Sequence, residues 1–389
     1  MMFESLLKDR QFQEKCLDCA RGIADWLVRT QVPPDSNQAD SGHILFGIAG
    51  NGDRPWAFEW NHAFLTMGLL SAYKVFGDEK YRQAADGMIR YLKTLQIYSP
   101  FLPEHYGAIR ETTPQTPWCY VRDALSGAWG FLEYYRYTRN PEYLTRTIDW
   151  AEWFLRHGMD DTPFPRWGIQ FEQETDLQFP AIRNDLHGCF HGGSFNFFPR
   201  LAAISGNPKW VGDFYGKMVD YFMDTIQCSD GFFRTANIHK ETDPEDPQGL
   251  LHQFNDDLGC IGLLTAYNVL GKSRCLDAVN RFMHAVIPLQ RPDGSFEKSC
   301  ACIPVLLNTL WEGRGLLDCS MSNDSIRAAA EAFFARQYGP DAEPDLIGAI
   351  DEFDEHGCCV RSMGYALLFF LKFAGGDYRF LGIHTGNYK

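Results

Sequence analysis

The sequence has no long uncharged hydrophobic run and no excess of basic residues. No window approaches the roughly 20 apolar residues that a membrane-spanning helix needs. The chain opens on Met1–Ser5 and continues directly into a charged helical pattern, without the apolar core of a secretion signal. With a formal net charge of −14, it also lacks the basic surface that nucleic acids and anionic membranes bind. We therefore expect a cytoplasmic protein that binds neither nucleic acid nor a membrane.

Twelve cysteines are present, but their arrangement indicates neither disulfides nor zinc. Most of them lie within apolar helical patterns, and a cytoplasmic location would keep them reduced. The two short pairs, Cys16 with Cys19 and Cys300 with Cys302, lie about 280 residues apart with no histidine cluster beside them. That spacing is a poor match to a zinc site. We expect free, mostly buried thiols, and no metal or other cofactor is predicted.

A repeated unit of roughly 65 residues is the strongest signal in the chain. Each unit contains a short break between two helical patterns, of a form such as Gly-Asp-Glu-Lys-Tyr or Asn-Pro-Glu-Tyr. The breaks begin at positions 77, 139, 206 and 271, so the intervals are 62, 67 and 65 residues. A fixed period of this size indicates stacked helical hairpins, because one hairpin cannot bury its apolar face alone.

The two helices of each unit differ in polarity. The first is apolar nearly all round and rich in small residues, as in 124–128 and 259–264, which predicts a helix enclosed on every side. The second carries one apolar stripe, as in 81–95, and is expected to face water on its other side. Six inner and about six outer helices predict an all-α fold, an (α/α)6 toroid or six-hairpin barrel, with residues 1–389 as a single catalytic domain. The inner helices are expected to begin near Trp60, Val121, Phe190, Phe254, Ile303 and Val360.

A glutamine-led turn follows several outer helices. In Gln227–Phe232 and Gln290–Phe296, an Asp-Gly pair predicts a tight turn. Gln31–Ser36 is a looser match that lacks the glycine. Long loops are expected to run from these turns to the next inner helix.

Polar residues occur at five of the six expected inner-helix starts. In a closed ring these N-termini would converge on one mouth of a central funnel, where helix N-termini also favour anions. An enclosed helix should carry such groups only where they are paired or functional. The candidates are Trp60, Asn61, His62, Trp118, Tyr120, Arg122, Asp123, Trp129, His187, His191, Asn255, Asp256, Asp257 and Arg361.

Single candidates also have purely structural interpretations. Asp123 and Asp257 are suited to capping a helix N-terminus. His62 on an apolar helix is compatible with a core histidine, and Arg122 with a simple ion-pair partner for Asp123. These interpretations explain individual residues better than they explain the whole set.

The chain resembles the six-hairpin (α/α)6-toroid carbohydrate enzymes from Trp60 to Asp277, in its alternating helices and in its Gly-Asp-Glu-x-Tyr and Asn-Pro-Glu-Tyr breaks. It looks most like the unsaturated glucuronyl hydrolases and the rhamnogalacturonyl hydrolases. Their inner helices carry an Asp, then an apolar run and an Asp-Pro-Glu-Tyr break. Here Asp123 is followed by sixteen residues and then by Asn140–Tyr143. The family's second aspartate has no obvious match, because His191 stands at the next inner-helix start.

The resemblance implies an acid/base hydrolase that acts on an oligosaccharide, with a uronic acid as the expected sugar. Asp123 would be the acid, and Asp256 or Asp257 a second carboxylate. Polar side chains would hold the sugar, namely Asn61, His62, Arg122, His187, His191, Asn255 and Arg361. Aromatic side chains would stack on sugar faces, namely Trp60, Trp118, Tyr120 and Trp129. An ordinary glycosidase, with Asp123 and Asp257 facing each other across the funnel, is a further possibility.

Three alternatives from other classes stay open. Asn61–His62 resembles the Asn-His pair of alginate-type polysaccharide lyases. In those enzymes such groups neutralise the uronate carboxylate, and a tyrosine or histidine abstracts the C5 proton. The Gln-x-x-Asp-Gly-Ser-Phe turn resembles those of terpene cyclases and prenyltransferases, but 254–257 lacks the first aspartate of the cyclase acid motif. A non-catalytic toroid that only binds protein would show no turnover of any small molecule.

Overall fold

The computed structural model describes residues 2–159, 165–166, 168–171, 182–183, 188–233, 259–296, 300–352, 357–376 and 382, with the backbone alone at 182–183 and 188–192. Across these ranges no helix combines the length and the apolar character needed to cross a membrane. The described cysteines are free, and all but Cys228 are buried, which confirms that they are mainly packing residues.

Helices dominate the described part of the chain. They are α1 (Glu4–Lys8), α2 (Arg10–Thr30), α3 (Glu59–Phe76), α4 (Glu79–Leu95), α5 (Val121–Thr138), α6 (Pro141–Trp153), α7 (Gly188–Ser205), α8 (Asp213–Tyr221), α9 (Gly259–Leu270), α10 (Ser273–Val286), α11 (Cys302–Glu312), α12 (Asn323–Phe334) and α13 (Val360–Gly375). The strands are β1 (Gly47–Ile48), β2 (Trp118–Tyr120), β3 (Gly168–Gln170), β4 (Ile182–Arg183) and β5 (Cys358–Cys359). β1 pairs antiparallel with β5, and β2, β3 and β4 form an antiparallel sheet in that order.

The chain divides into two compact units. The first comprises Met1–Tyr91 with Val286–Gly382, and in it α13 packs against α2, α3 and α11. The second consists mainly of Leu92–Ala285, where α7 packs against α5 and α9, and α5 packs against α6. That residues 1–389 act as a single catalytic domain stays a prediction.

The predicted alternation of enclosed and amphipathic helices is confirmed in the described residues. α3, α5, α9, α11 and α13 are buried over most of their length, whereas α2 and α6 bury one stripe each. The inner helices α3, α5, α7, α11 and α13 begin within two residues of the expected positions. The beginning expected near Phe254 lies outside the described residues.

The four repeated breaks share one backbone conformation. Gly77, Arg139, Gly206 and Gly271 have φ values of 70°, 59°, 68° and 67°, in the left-handed region. At three of them the backbone N–H donates to the carbonyl four residues earlier, which satisfies an otherwise free end of the inner helix. The sequence period therefore marks a repeated helix-ending device.

A glutamine at the end of five outer helices binds two backbone carbonyls. Its Nε2 donates to the carbonyl of a loop glycine and to a carbonyl of another outer helix, at distances between 2.8 and 3.2 Å. The glutamines are Gln31, Gln96, Gln227, Gln290 and Gln337. The loop glycines are Gly42, Gly107, Gly231, Gly294 and Gly348, all with positive φ. The stretch Gln31–Ser36 contains no glycine, and Gly42, eleven residues after Gln31, takes the place of the loop glycine.

We expect Gly294→Ala to destabilise the fold by about 2 kcal/mol more than Gly271→Ala. Both glycines have positive φ, so both variants carry the same backbone strain. A Cβ at Gly294 would lie 2.1 Å from the carbonyl oxygen of Ala328, whereas a Cβ at Gly271 meets nothing within 4 Å. Urea unfolding of the two variants measures the difference. Equal midpoints would show that the close approach at Gly294 can relax.

Candidate active site

The strand before α5 brings an aromatic pair to the start of that helix. β2 pairs with β3 so that Trp118 lies opposite Gln170 and Tyr120 opposite Gly168. Because side chains alternate along a strand, Trp118 and Tyr120 lie on one face, and the buried Cys119 lies on the other. The two rings are 4.7 Å apart at an angle of 67°. Both are half-buried, so each keeps surface that a ligand can reach.

Asp123 lies in the first turn of α5 and is 4% exposed. Burial raises the pKa of its carboxyl above the ordinary value, against the opposing effects of Arg122 and of a hydrogen bond with Glu111. The N-cap of α5 is Tyr120, and its side chain makes no capping bond. The interpretation of Asp123 as an N-cap is therefore wrong. A desolvated carboxyl with a raised pKa has the property that a general acid needs.

Glu111 lies in the loop before β2 and contacts the residues at the start of α5. It is 1% exposed, its Oε2 accepts the backbone N–H of Tyr120 at 2.8 Å, and its own N–H donates to the carbonyl of Trp118 at 3.2 Å. A hydrogen bond between the carboxyls of Glu111 and Asp123 requires a proton on one of them. Glu111 was not among the predicted site residues, because those were expected at the starts of inner helices and Glu111 lies in a loop. The available signal was the charged pair Arg110–Glu111 inside the loop that leads to α5.

Arg122 places a positive charge beside this carboxyl pair. Its Nε lies 3.4 Å from Oδ1 of Asp123, and its guanidinium carbon lies 5.2 Å from the centre of the Tyr120 ring. The side chain is 11% exposed, so the charge is largely desolvated. A guanidinium held in this way suits recognition of a planar carboxylate. Together, Glu111, Trp118, Tyr120, Arg122 and Asp123 form what we call the α5 cluster.

Trp129 does not belong to the α5 cluster. It is completely buried, its Nε1 donates to Oε1 of Glu133 at 3.1 Å, and the Arg200 guanidinium lies 5.3 Å from the ring centre. No face of the indole is open to a sugar. The expectation that Trp129 stacks on substrate is therefore corrected, and its function is packing inside the core.

The start of α3 holds three further candidates. Asn61 is 1% exposed, and its Oδ1 accepts the backbone N–H of Phe58 at 3.0 Å, which closes the helix end. His62 has no exposed surface, its Nδ1 lies 2.9 Å from the carbonyl oxygen of Phe58, and its ring stacks on Tyr91. Burial lowers the pKa of His62 to about 3, and the neighbouring His43 adds to that effect. Only Trp60 remains half-buried.

This arrangement bears on the catalytic assignment of His62. An imidazole that abstracts a proton from a sugar must reach that proton directly or through one water molecule. Enclosed as it is, His62 matches the structural interpretation of a packed core histidine. The lyase alternative therefore gains no support from His62.

The other predicted site residues are placed only in part. Asn255, Asp256, Asp257 and His187 lie outside the described residues, and His191 is described by its backbone within α7 alone. Arg361 lies in the first turn of α13, half-buried. Within the described ranges, no three His, Cys, Asp or Glu side chains come together as a metal site would require.

Comparison with known proteins places the chain by its fold alone. No protein-family model matches it, and no curated protein is similar to it in sequence. Among solved structures, a cellobiose 2-epimerase from Bacillus thermoamylovorans is similar at a TM-score of 0.65 and 12% identity, over 92% of this chain and 98% of that chain. A family 76 glycoside hydrolase (mannosidase) from Bacteroides thetaiotaomicron is similar at 0.64 and 14%, over 92% and 98%. A polysaccharide lyase is similar at 0.57 and 13%, over 81% and 90%.

These neighbours confirm the predicted fold class, an (α/α)6 toroid. They are carbohydrate-active enzymes, but they carry out three different reactions, namely epimerisation, hydrolysis and elimination. At such low identity the likeness extends to the fold and does not decide the reaction. The chemistry has to be argued from the side chains of this chain.

Proposed function

We propose that this protein is a carbohydrate-active hydrolase that cleaves an oligosaccharide containing a uronic acid, with Asp123 as the general acid. The observation that carries the proposal is the buried Asp123 carboxyl, because burial raises its pKa against the opposing effects of Arg122 and Glu111 and so favours a proton held at this position. The fold neighbours support the substrate class, because carbohydrate-active enzymes share this architecture.

The α5 cluster supplies the parts that such a reaction needs. Trp118 and Tyr120 offer partly open aromatic faces for the apolar side of a sugar ring. Arg122 offers a desolvated guanidinium for the carboxylate of a uronic acid. Asp123 lies directly beside Arg122, so a sugar bound through its carboxylate would present its reacting atoms to the acid.

On an unsaturated uronic residue, Asp123 would deliver its proton to one carbon of the double bond, and water would add at the other. The water gives up a proton, which restores the acid, and the hydrated sugar then opens and releases its neighbour. Glu111 would take up the proton that the water gives up and pass it back to Asp123 through the hydrogen bond between the two carboxyls. Asp256 or Asp257 remains our proposed second carboxylate.

The test is to incubate the protein with unsaturated uronic disaccharides from pectin, glycosaminoglycans and alginate and to follow the absorbance of the double bond. Asp123→Asn is expected to reduce the loss of absorbance at least about 10²-fold, because the amide cannot donate the proton. The matched control is Asp149→Asn on α6. Burial also raises the pKa of Asp149, but its Oδ2 accepts a hydrogen bond from Tyr98, away from the α5 cluster.

Other results would indicate a different reaction or a different sugar. An increase in absorbance on intact polyuronates would indicate a lyase. Release of reducing ends from manno-oligosaccharides, with no turnover of uronates, would retain Asp123 as the acid and change the sugar. Isomerisation of a reducing disaccharide without cleavage would indicate an epimerase. Equal activity of Asp123→Asn and the wild type would remove the proposed mechanism altogether.

A further inference from the structure

Trp56 is a partly exposed tryptophan with an unusual support beneath it. It lies in the loop before α3, and 39% of its surface is exposed. One face of its indole stacks on the ring of His43, with centroids 4.5 Å apart and an angle of 18°. The α5 cluster includes neither residue.

Buried aromatic rings lie behind His43, on the side away from the Trp56 indole, and support the stacked pair. His43 is 1% exposed and stacks on Tyr91, which is 3% exposed, with centroids 3.9 Å apart at 16°. His62 lies 5.1 Å from both of these rings. The His43 ring is anchored as well, because its Nε2 lies 3.2 Å from the carbonyl oxygen of Ala57. We call Trp56, His43, Tyr91 and His62 the aromatic column.

The backbone around Trp56 is fixed too. Trp56 forms an antiparallel bridge with Leu45, and the next residue, Ala57, donates its N–H to the carbonyl of Ile44 at 3.0 Å. The indole is therefore ordered before any ligand arrives. A ligand that stacks on it would not have to offset the entropy of immobilising a mobile side chain.

Exposure alone does not distinguish Trp56. Phe101 is 90% exposed, yet no ring contact supports it within the described part of the chain. The residues just before Trp56 are exposed and include polar ones, and Asn51 Nδ2 donates to Oδ2 of Asp53 at 2.7 Å. An ordered, partly exposed aromatic face matches the apolar C–H face of a pyranose ring.

We propose that Trp56 is a sugar-stacking subsite, in which the indole face opposite His43 binds one pyranose ring of an oligosaccharide. This inference rests on the proposed function for its ligand class, but it does not depend on the α5 cluster for its geometry.

The test measures binding without turnover, by calorimetry on protein that carries Asp123→Asn. The probes are tetragalacturonate, mannotetraose and cellotetraose. Trp56→Ala is expected to raise the Kd for the best probe about tenfold, whereas Trp56→Tyr should retain most of the affinity. The matched control is Phe101→Ala, which removes a more exposed aromatic ring without a column beneath it and should leave Kd unchanged.

The outcomes separate this inference from the proposed function. Unchanged Kd in Trp56→Ala overturns the subsite, even where Asp123-dependent turnover is established. Weakened binding in Trp56→Ala supports the subsite, even where none of the probes is cleaved by the wild type. A wild type that binds none of the three probes overturns the subsite. So does a protein dimer that dissociates on Trp56→Ala, because the indole face would then be an interface between copies of the chain.

Discussion

Replacing Glu133 with leucine is expected to lower the free energy of unfolding by about 3–5 kcal/mol. Glu133 and Arg200 are both completely buried, and Nη1 of Arg200 donates to Oε1 of Glu133 at 2.8 Å. Arg136 donates to the other carboxylate oxygen at 2.5 Å, and Trp129 donates to Oε1. The Glu133 carboxylate therefore accepts hydrogen bonds from three side chains.

The size of the effect follows from what Glu133→Leu leaves behind. The guanidinium of Arg200 would remain buried without the Glu133 carboxylate, and a buried charge that loses such a partner is costly. The double variant Glu133→Leu, Arg200→Met removes both charges. It is expected to recover most of the lost stability, because an apolar pair of similar volume avoids the desolvation cost.

Urea unfolding followed by circular dichroism measures these changes. The matched control is Asp213→Ala, which removes the carboxylate of an exposed i, i+4 pair with Lys217 on α8 and should change the midpoint little. A double variant no more stable than Glu133→Leu would show that packing volume sets the cost. Because Glu133 lies on α5 and Arg200 on α7, the result also reports on how two inner helices are held together.

The sequence predicted the helical hairpins because local rules govern them. The breaks at Gly77, Arg139, Gly206 and Gly271 share one backbone conformation, and an inner helix is recognisable by its stretches of apolar and small residues, as in 124–128 and 259–264. The glutamine turns were recognised only in part. At Gln31 the partner Gly42 is eleven residues away, and the contact depends on a third segment, the carbonyl of Ala84.

The candidate site was less predictable, because burial and pairing are tertiary properties. Trp118, Tyr120, Arg122 and Asp123 lie within six residues, so their proximity follows from local structure. Glu111 is brought to them by the loop before β2, and nothing in the spacing required that. Trp129 carries the same sequence signal as Trp118, yet the network with Glu133 and Arg200 makes it a core residue.

Lowering the pH from 6.5 to 5 is expected to cost about 3 kcal/mol of stability through His43 and His62 together. Burial lowers the pKa of His43 to about 4 and of His62 to about 3, from an ordinary value of 6.5. Above pH 6.5 both rings are neutral in the folded and the unfolded chain, so their contribution is fully present. Below it, the unfolded chain takes up protons that the folded chain excludes. The free energy of unfolding therefore falls as the pH decreases towards the pKa values that the two histidines have in the folded protein.

The measurement is the slope of the free energy of unfolding against pH between 6.5 and 5. Each buried histidine contributes about 1.4 kcal/mol per pH unit well below 6.5, so His62→Gln should reduce the slope by about that amount. The slope matters more than the absolute stability, because a glutamine in the aromatic column also changes its packing. The control is His284→Gln, which removes an exposed imidazole on α10, outside the aromatic column. An unchanged slope in His62→Gln would mean that the folded protein admits the proton, and the aromatic column beneath Trp56 would then be looser than its ring distances indicate.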